Sequence, residues 1–199
     1  MFAEENMNLR KYLIAAHTAF VFAICTMPVA AQENKTVGND IESKRSAAMK
    51  SIEFLHGKWS GRGWVMTREG RKESTITENF QPKLGGRIAV VDGFGASKDP
   101  RTGAEIPTHQ AYGIFSYDPE SDRIRFRYYK AETGAEGVTD LEISGKTIVW
   151  GFDVPESGSK IKFTIRVDEK GIWREVGEFS RDQGKTWMKF MEMELSRLE

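Results

Sequence analysis

The sequence predicts an all-β fold, an antiparallel closed barrel of about ten strands with a short N-terminal helix. Three observations predict it. Apolar residues alternate with period 2 from Trp59 to the C-terminus, the segments are joined by short runs of turn formers, and helical spacing occurs only upstream of Trp59. Successive strands with one wet and one dry face and no intervening helix form a meander, and closing it removes the unpaired edges.

The chain has 199 residues, no net charge and one cysteine. Arg10 and Lys11 precede an apolar run from Tyr12 to Val29, then Ala30 and Ala31. This pattern reads as a secretory signal over 1–31, with Val29-x-Ala31 as the cleavage site and a periplasmic or secreted destination. The segment carries two acids and two bases, so its removal leaves the net charge at zero. No global field then favours nucleic acid or an anionic membrane. Cys25 leaves with the signal, which excludes disulfides and thiolate metal sites.

Residues 32–40 are polar and are expected to form a flexible tether, followed by one barrel domain over 41–199. Ile41, Arg45, Ala48, Ile52 and Leu55 recur at helical spacing without internal Gly or Pro, predicting a helix over Ile41 to Leu55 that packs on or plugs the barrel. Ser74, Ile76, Glu78 and Phe80 then share a strand face, as do Ile88, Val90, Asp92 and Phe94. Ile124, Phe126 and Tyr128 alternate with Arg123, Arg125 and Arg127, which read as a solvated face. Ile148, Trp150 and Phe152 form the next strand, followed by Ile161, Phe163, Ile165 and Val167. Glu69-Gly70, Leu84-Gly85-Gly86, Asp118 to Asp122, Ser144-Gly145, Pro155 to Ser159, Glu169 to Gly171 and Asp182 to Gly184 supply the turns.

In SRDQGKTW, Ser180, Asp182, Gly184, Thr186 and Trp187 have the spacing S-x-D-x-G-x-T-W, which resembles the Asp-box of sialidase propellers. There is one copy and no repeat at propeller length, so the motif is expected to staple a hairpin. The Asp182 carboxylate would accept turn N–H groups and Gly184 would take positive φ.

FLHGKWSGRGW, Phe54 to Trp64, resembles the G-x-W start of calycin barrels, the superfamily of lipocalins and fatty-acid-binding proteins. Its F-L-x-G-x-W-x-G-x-G form is closer to the nitrobindin branch and to exported bacterial proteins of unknown function. His109 to Pro119, HQAYGIFSYDP, is similar to the central strand of that branch. The resemblance implies that Trp59 closes one barrel end under a basic side chain from the last strand, here Arg197. Nitrobindins bind haem iron through a histidine near the C-terminus, and MKFMEMELSRL has none. Met193 falls near that position, but Met188, Met191 and Met193 read as core filling, so no haem or other cofactor is expected.

His56 and His109 have no companions at metal-ligand spacing, and no metal site is expected. Neither a G-x-S-x-G elbow nor a glycine-rich phosphate loop leading into a helix is present. The informative residues are ionisable groups on apolar strand faces. If Ile76 and Phe80 point inward, so does Glu78; the same argument carries Asp92 with Val90 and Phe94, and Arg174 and Glu178 with Ile172 and Val176. These four would form a buried polar cluster anchoring one end of a guest, with Trp64, Tyr112, Phe126, Tyr128, Trp150 and Phe163 around its apolar body. Alternatively, a bulge turns some of these strands over and the charges face solvent.

Three functions follow. The first is an exported protein that binds a small, lipophilic or amphiphilic molecule. The second is an isomerase or cyclase on the same barrel, with Glu78 or Asp92 as general base and Arg174 stabilising negative charge. The third is an interaction module with a solid core.

Overall fold

The computed structural model describes residues 29–131, 134 and 136–198. The expected signal lies outside them except for its last three residues. Helix α1 spans Val29–Lys50, and a single 3₁₀ turn over Glu53–Leu55 leads into the sheet. The helix therefore takes in residues 32–40, which their polarity assigns to a tether, and stops earlier than the periodicity predicts. At its end, Ser51 Oγ donates to the Ala48 carbonyl at 2.6 Å, a local bond that competes with continuation of the helix. Met49, Ile52 and Leu55 turn into the core, so the apolar stripe continues through the turn.

Eleven antiparallel strands follow: β1 (Gly57–Thr67), β2 (Gly70–Lys83), β3 (Ile88–Lys98), β4 (Glu105–Asp118), β5 (Arg123–Lys130), β6 (Glu136–Asp140), β7 (Glu142–Ser144), β8 (Thr147–Val154), β9 (Ser159–Val167), β10 (Trp173–Ser180) and β11 (Met188–Arg197). Every strand pairs with its neighbour in sequence except β6 and β7, and β1 pairs with β11. The expected meander is thus present. Near closure comes at Leu141, the single residue between β6 and β7, whose N–H donates to Ile124 O. Before it the chain pairs with β5; after it, with β8. Thr139 Oγ1 donates to Gly151 O at 2.9 Å across the remaining seam.

The register fixes the inner face. It runs Gly57, Trp59, Gly61, Gly63 and Val65 on β1, opposite Phe80, Glu78, Ile76, Ser74 and Lys72 on β2. One end is packed solid. Trp59, Phe80, Ile148 and Leu195 are fully buried there, together with Phe115, Ile124, Leu141 and Trp173 and the three residues from α1 and its following turn. Arg197 covers this end with its guanidinium carbon 4.1 Å from the Trp59 ring centroid, as the resemblance implied. It also donates to the carbonyls of Phe54 and His56, while Trp59 Nε1 donates to Leu55 O at 2.8 Å. The segment before the first strand is thereby tied to the end of the last.

The Asp182 hairpin forms as expected. The carboxylate accepts from Ser180 Oγ, Thr186 N and Thr186 Oγ1 at 2.7–2.9 Å, and Gly184 sits at φ +93°. Those donors, led by the Thr186 N–H, hold its pKa down at about 2.

Candidate functional site: a lumen with two buried glutamic acids

The other half of the barrel is not filled. A cavity of about 250 Å³ lies between the packed end and the opposite mouth. Its shape follows from which residues the inner positions carry. Gly63, Gly93, Ala111 and Gly113 make the β1–β4 wall thin, whereas Tyr128, Trp150 and Phe163 make the facing wall aromatic. Trp150 and Phe163 stack with centroids 4.2 Å apart, and Phe126 meets Trp150 edge-on at 5.0 Å. A side chain at Gly137 would collide with the Tyr128 hydroxyl at 2.3 Å, so this glycine lets the phenol lie across β6.

Two carboxyls project into this space. Glu78 faces inward, as predicted, opposite Trp59 on one side and Gly93 on the other. Its carboxylate lies over Gly93, where an added Cβ would stand 2.7 Å from Oε2. Glu175, on β10, opposes Met193 and Ile165. Each is only 7% exposed. Burial pushes the Glu78 pKa up to about 8, reinforced by the negative charges of Glu175 and Asp92. Burial raises Glu175 to about 7, opposed by the Trp173 indole N–H and by Lys130. Trp173 Nε1 is buried and makes no hydrogen bond of standard geometry, so it favours the Glu175 anion through a long or bent approach.

Five of the residues predicted to bind a guest line the lumen with their side chains: Glu78, Phe126, Tyr128, Trp150 and Phe163. The other five are corrected by the register. Asp92 pairs with Asn79 and Tyr112, is exposed, and lies on the outer face, because Ala89, Val91, Gly93 and Gly95 hold the inner positions of β3. Val90 is buried although it shares the outward parity, so apolar character on β3 does not report direction. Tyr112 follows Asp92 outward and is 43% exposed. Trp64 stands outside beneath Arg71, whose guanidinium carbon is 4.5 Å from its ring centroid. Trp64 and Tyr112 both border the cavity wall while holding outward register positions.

On β10 the inner set is Trp173, Glu175, Gly177 and Phe179. Arg174 therefore pairs outside with Glu194 and Asp168, and Glu178 with Lys162 at 2.9 Å. Sequence alternation misses Glu175 because Ile172 and Val176 suggest the opposite parity. The aromatic pair Trp173 and Phe179, bracketing Glu175 and Gly177, is the signal that points to the correct one. Lys130 is missed too; it takes an inner position on β5 opposite Ala111 and lines the lumen.

The two histidines among the described residues lie at opposite ends. His56 stacks on Phe80 beside the packed end, where burial lowers its pKa, and His109 lines the cavity. Among the described residues no three His, Cys, Asp or Glu side chains group to hold a metal ion, and no helix is long and apolar enough to cross a membrane. Arg125, in the middle of the predicted basic stripe, is paired with Asp118 and Asp140 at the surface.

Fold and site together define a class: a nearly closed antiparallel barrel, plugged at one end, with an aromatic lumen that holds two buried acids. No family model matches the chain, and no curated protein matches it. Among solved structures, it is similar to a protein of unknown function from the DUF3598 family of Nostoc punctiforme. The identity is 7%, over 76% of this chain and 99% of that one, with a TM-score of 0.26.

Proposed function

We propose that this barrel binds a small, mostly apolar molecule in its lumen, with the guest's polar end against Glu78 and Glu175. The observation that supports this is a cavity of about 250 Å³ whose wall combines stacked aromatic rings with two buried carboxyls. Binding sites are typically concave and apolar, with a few convergent polar groups. Trp59 under Arg197 favours reading the barrel as calycin-like. We read residues 1–31 as an export signal and place the working protein in the periplasm or outside the cell. N-terminal sequencing of the mature protein should begin at Gln32.

The test is co-purification. Mature protein isolated from its native compartment is extracted into organic solvent for mass spectrometry, beside an Ala111→Phe variant whose new ring fills the lumen. A small molecule present with the parent protein and absent from the variant is the expected result. The same extract from both would end the reading.

One observation favours a second reading, acid–base catalysis in the same lumen: Glu78, with a pKa of about 8, sits in the range where a carboxyl both takes and gives a proton. Arg174 has no part in it, being outside the barrel. Glu78→Gln should then abolish turnover of a bound guest while the protein stays folded.

A further inference from the structure

Building on the binding reading, we infer that the guest is a compact amine whose ammonium group sits in the lumen against Glu78 and Glu175, with its apolar body on the aromatic wall. The lumen presents two acids and one ammonium to a guest. Glu78 and Glu175 are each more than nine-tenths buried and line the cavity, and the Trp173 indole N–H and Lys130 are the groups that favour the Glu175 anion. Buried carboxylates normally have a cationic or N–H partner. Lys130 supplies one positive charge to this space, felt by Glu175. Two acids against one ammonium leave a place for one further cation once Glu78 gives up its proton.

The rings point the same way. Lys130 Nζ lies 5.9 Å from the ring centroids of both Tyr128 and Phe152, so the lumen already holds one ammonium against aromatic faces. Aromatic walls with nearby carboxylates are the usual surroundings of a bound organic cation. An anionic guest would meet two acids, and a neutral one would leave Glu78 protonated and gain no ion pair from it.

The titratable groups bordering the lumen are Glu78, Glu175, Lys130, His109 and Tyr128. Glu192 and Tyr112 border it from outward register positions, and Asp92 acts on Glu78 from outside. Near neutral pH Glu78 carries its proton. An arriving ammonium converts the carboxylic acid to carboxylate and releases that proton to solvent, so charge balances without any further reactant. Amine affinity should accordingly rise by roughly tenfold per pH unit below the Glu78 pKa, the slope that one released proton requires.

The probes are 2-phenylethylamine, 2-phenylethanol and 3-phenylpropionate, titrated into the mature protein by calorimetry at about pH 6, 7 and 8. The amine should bind at least about tenfold tighter than the alcohol at the highest pH, a difference of about 1.4 kcal/mol. The propionate should bind weakest. Glu78→Gln should erase both the amine preference and the proton release, and Glu175→Gln should reduce the preference; a thermal melt checks that each variant is folded. If the alcohol or the propionate binds as tightly as the amine, the inference fails while the binding reading stands. An amine preference that survives both substitutions overturns it as well. If none of the three binds at millimolar concentration, the inference and the binding reading fall together.

Discussion

The two halves of the barrel are built from the same strands yet differ in what their inner positions carry. At the plugged end, Trp59, Phe80, Phe115 and Trp173 meet across the axis, with Met49, Ile52 and Leu55 closing the space from the N-terminal side. The charge covering that end, Arg197, faces the Trp59 ring and two backbone carbonyls. Toward the other end, glycines on one wall replace those large side chains, and two carboxyls are buried against the lumen. Stability and a binding site are thus separated along the axis. The first half is close-packed; the second holds a void and two groups with strongly raised pKa, the pattern of a site rather than a core.

Substitutions at the two ends should behave differently, and the largest effect belongs to the plug. Trp59→Ala removes a fully buried indole, its bond to Leu55 O and the surface under Arg197, and should cost about 3–5 kcal/mol in denaturant unfolding. Trp150→Ala, beside an existing cavity, should cost clearly less. Equal losses would erase the distinction between core and site.

Glu78→Gln should act next, and its sign depends on pH. The folded-state pKa of about 8 exceeds the ordinary value of 4.5, so the folded protein holds this proton more tightly than the unfolded chain. Stability attached to it is complete below about pH 4.5 and is lost as the pH rises toward 8. The glutamine variant should match the parent in acid and exceed it by up to a few kcal/mol near pH 9, because each tenfold difference in proton affinity between folded and unfolded chain is worth about 1.4 kcal/mol. A parent melting temperature that does not fall between about pH 5 and 9 would contradict the buried carboxyl.

Arg197→Ala should cost about 1–2 kcal/mol through loss of the cation–π contact and the two carbonyl bonds, with guest binding unchanged. The smallest effect is expected for Trp64→Ala. Its ring is outside, under Arg71, so unfolding should change by less than about 1 kcal/mol and guest affinity not at all. A marked loss of affinity would put Trp64 back in the site.

Much of the fold was legible because it depends on local patterns. Period-2 alternation identifies strands and turn formers mark their ends, while the pairing of Trp59 with Arg197 was expected from the resemblance carried by the G-x-W segment. The Asp182 hairpin was legible for the same reason, since all of its donors lie within six residues of one another. The site was half legible. Glu78, Phe126, Tyr128, Trp150 and Phe163 sit on strands with one clearly apolar parity, so alternation sends them inward correctly.

On β3 and β10 both parities are apolar, and there alternation loses its meaning. Ile88, Val90 and Phe94 outvoted Ala89, Val91 and the glycines, although the smaller residues face the lumen. Ile172 and Val176 outvoted Trp173 and Phe179 in the same way, hiding Glu175 and misplacing Arg174 and Glu178. A one-residue slip turns every side chain on a strand to the opposite face.

From the sequence alone came the all-β class, the meander, the plug tryptophan and its arginine, and one of the two acids in the lumen. Only the tertiary structure decided the register in which β1 pairs with β11, that Leu141 switches partners to bring the barrel near closure, and that Glu175 joins Glu78 inside. Strand identity is written in nearest-neighbour alternation, but the direction a side chain faces is set by hydrogen-bond register with strands distant in sequence. The void exists because small residues on one wall face large ones on another, a relation that no single segment contains.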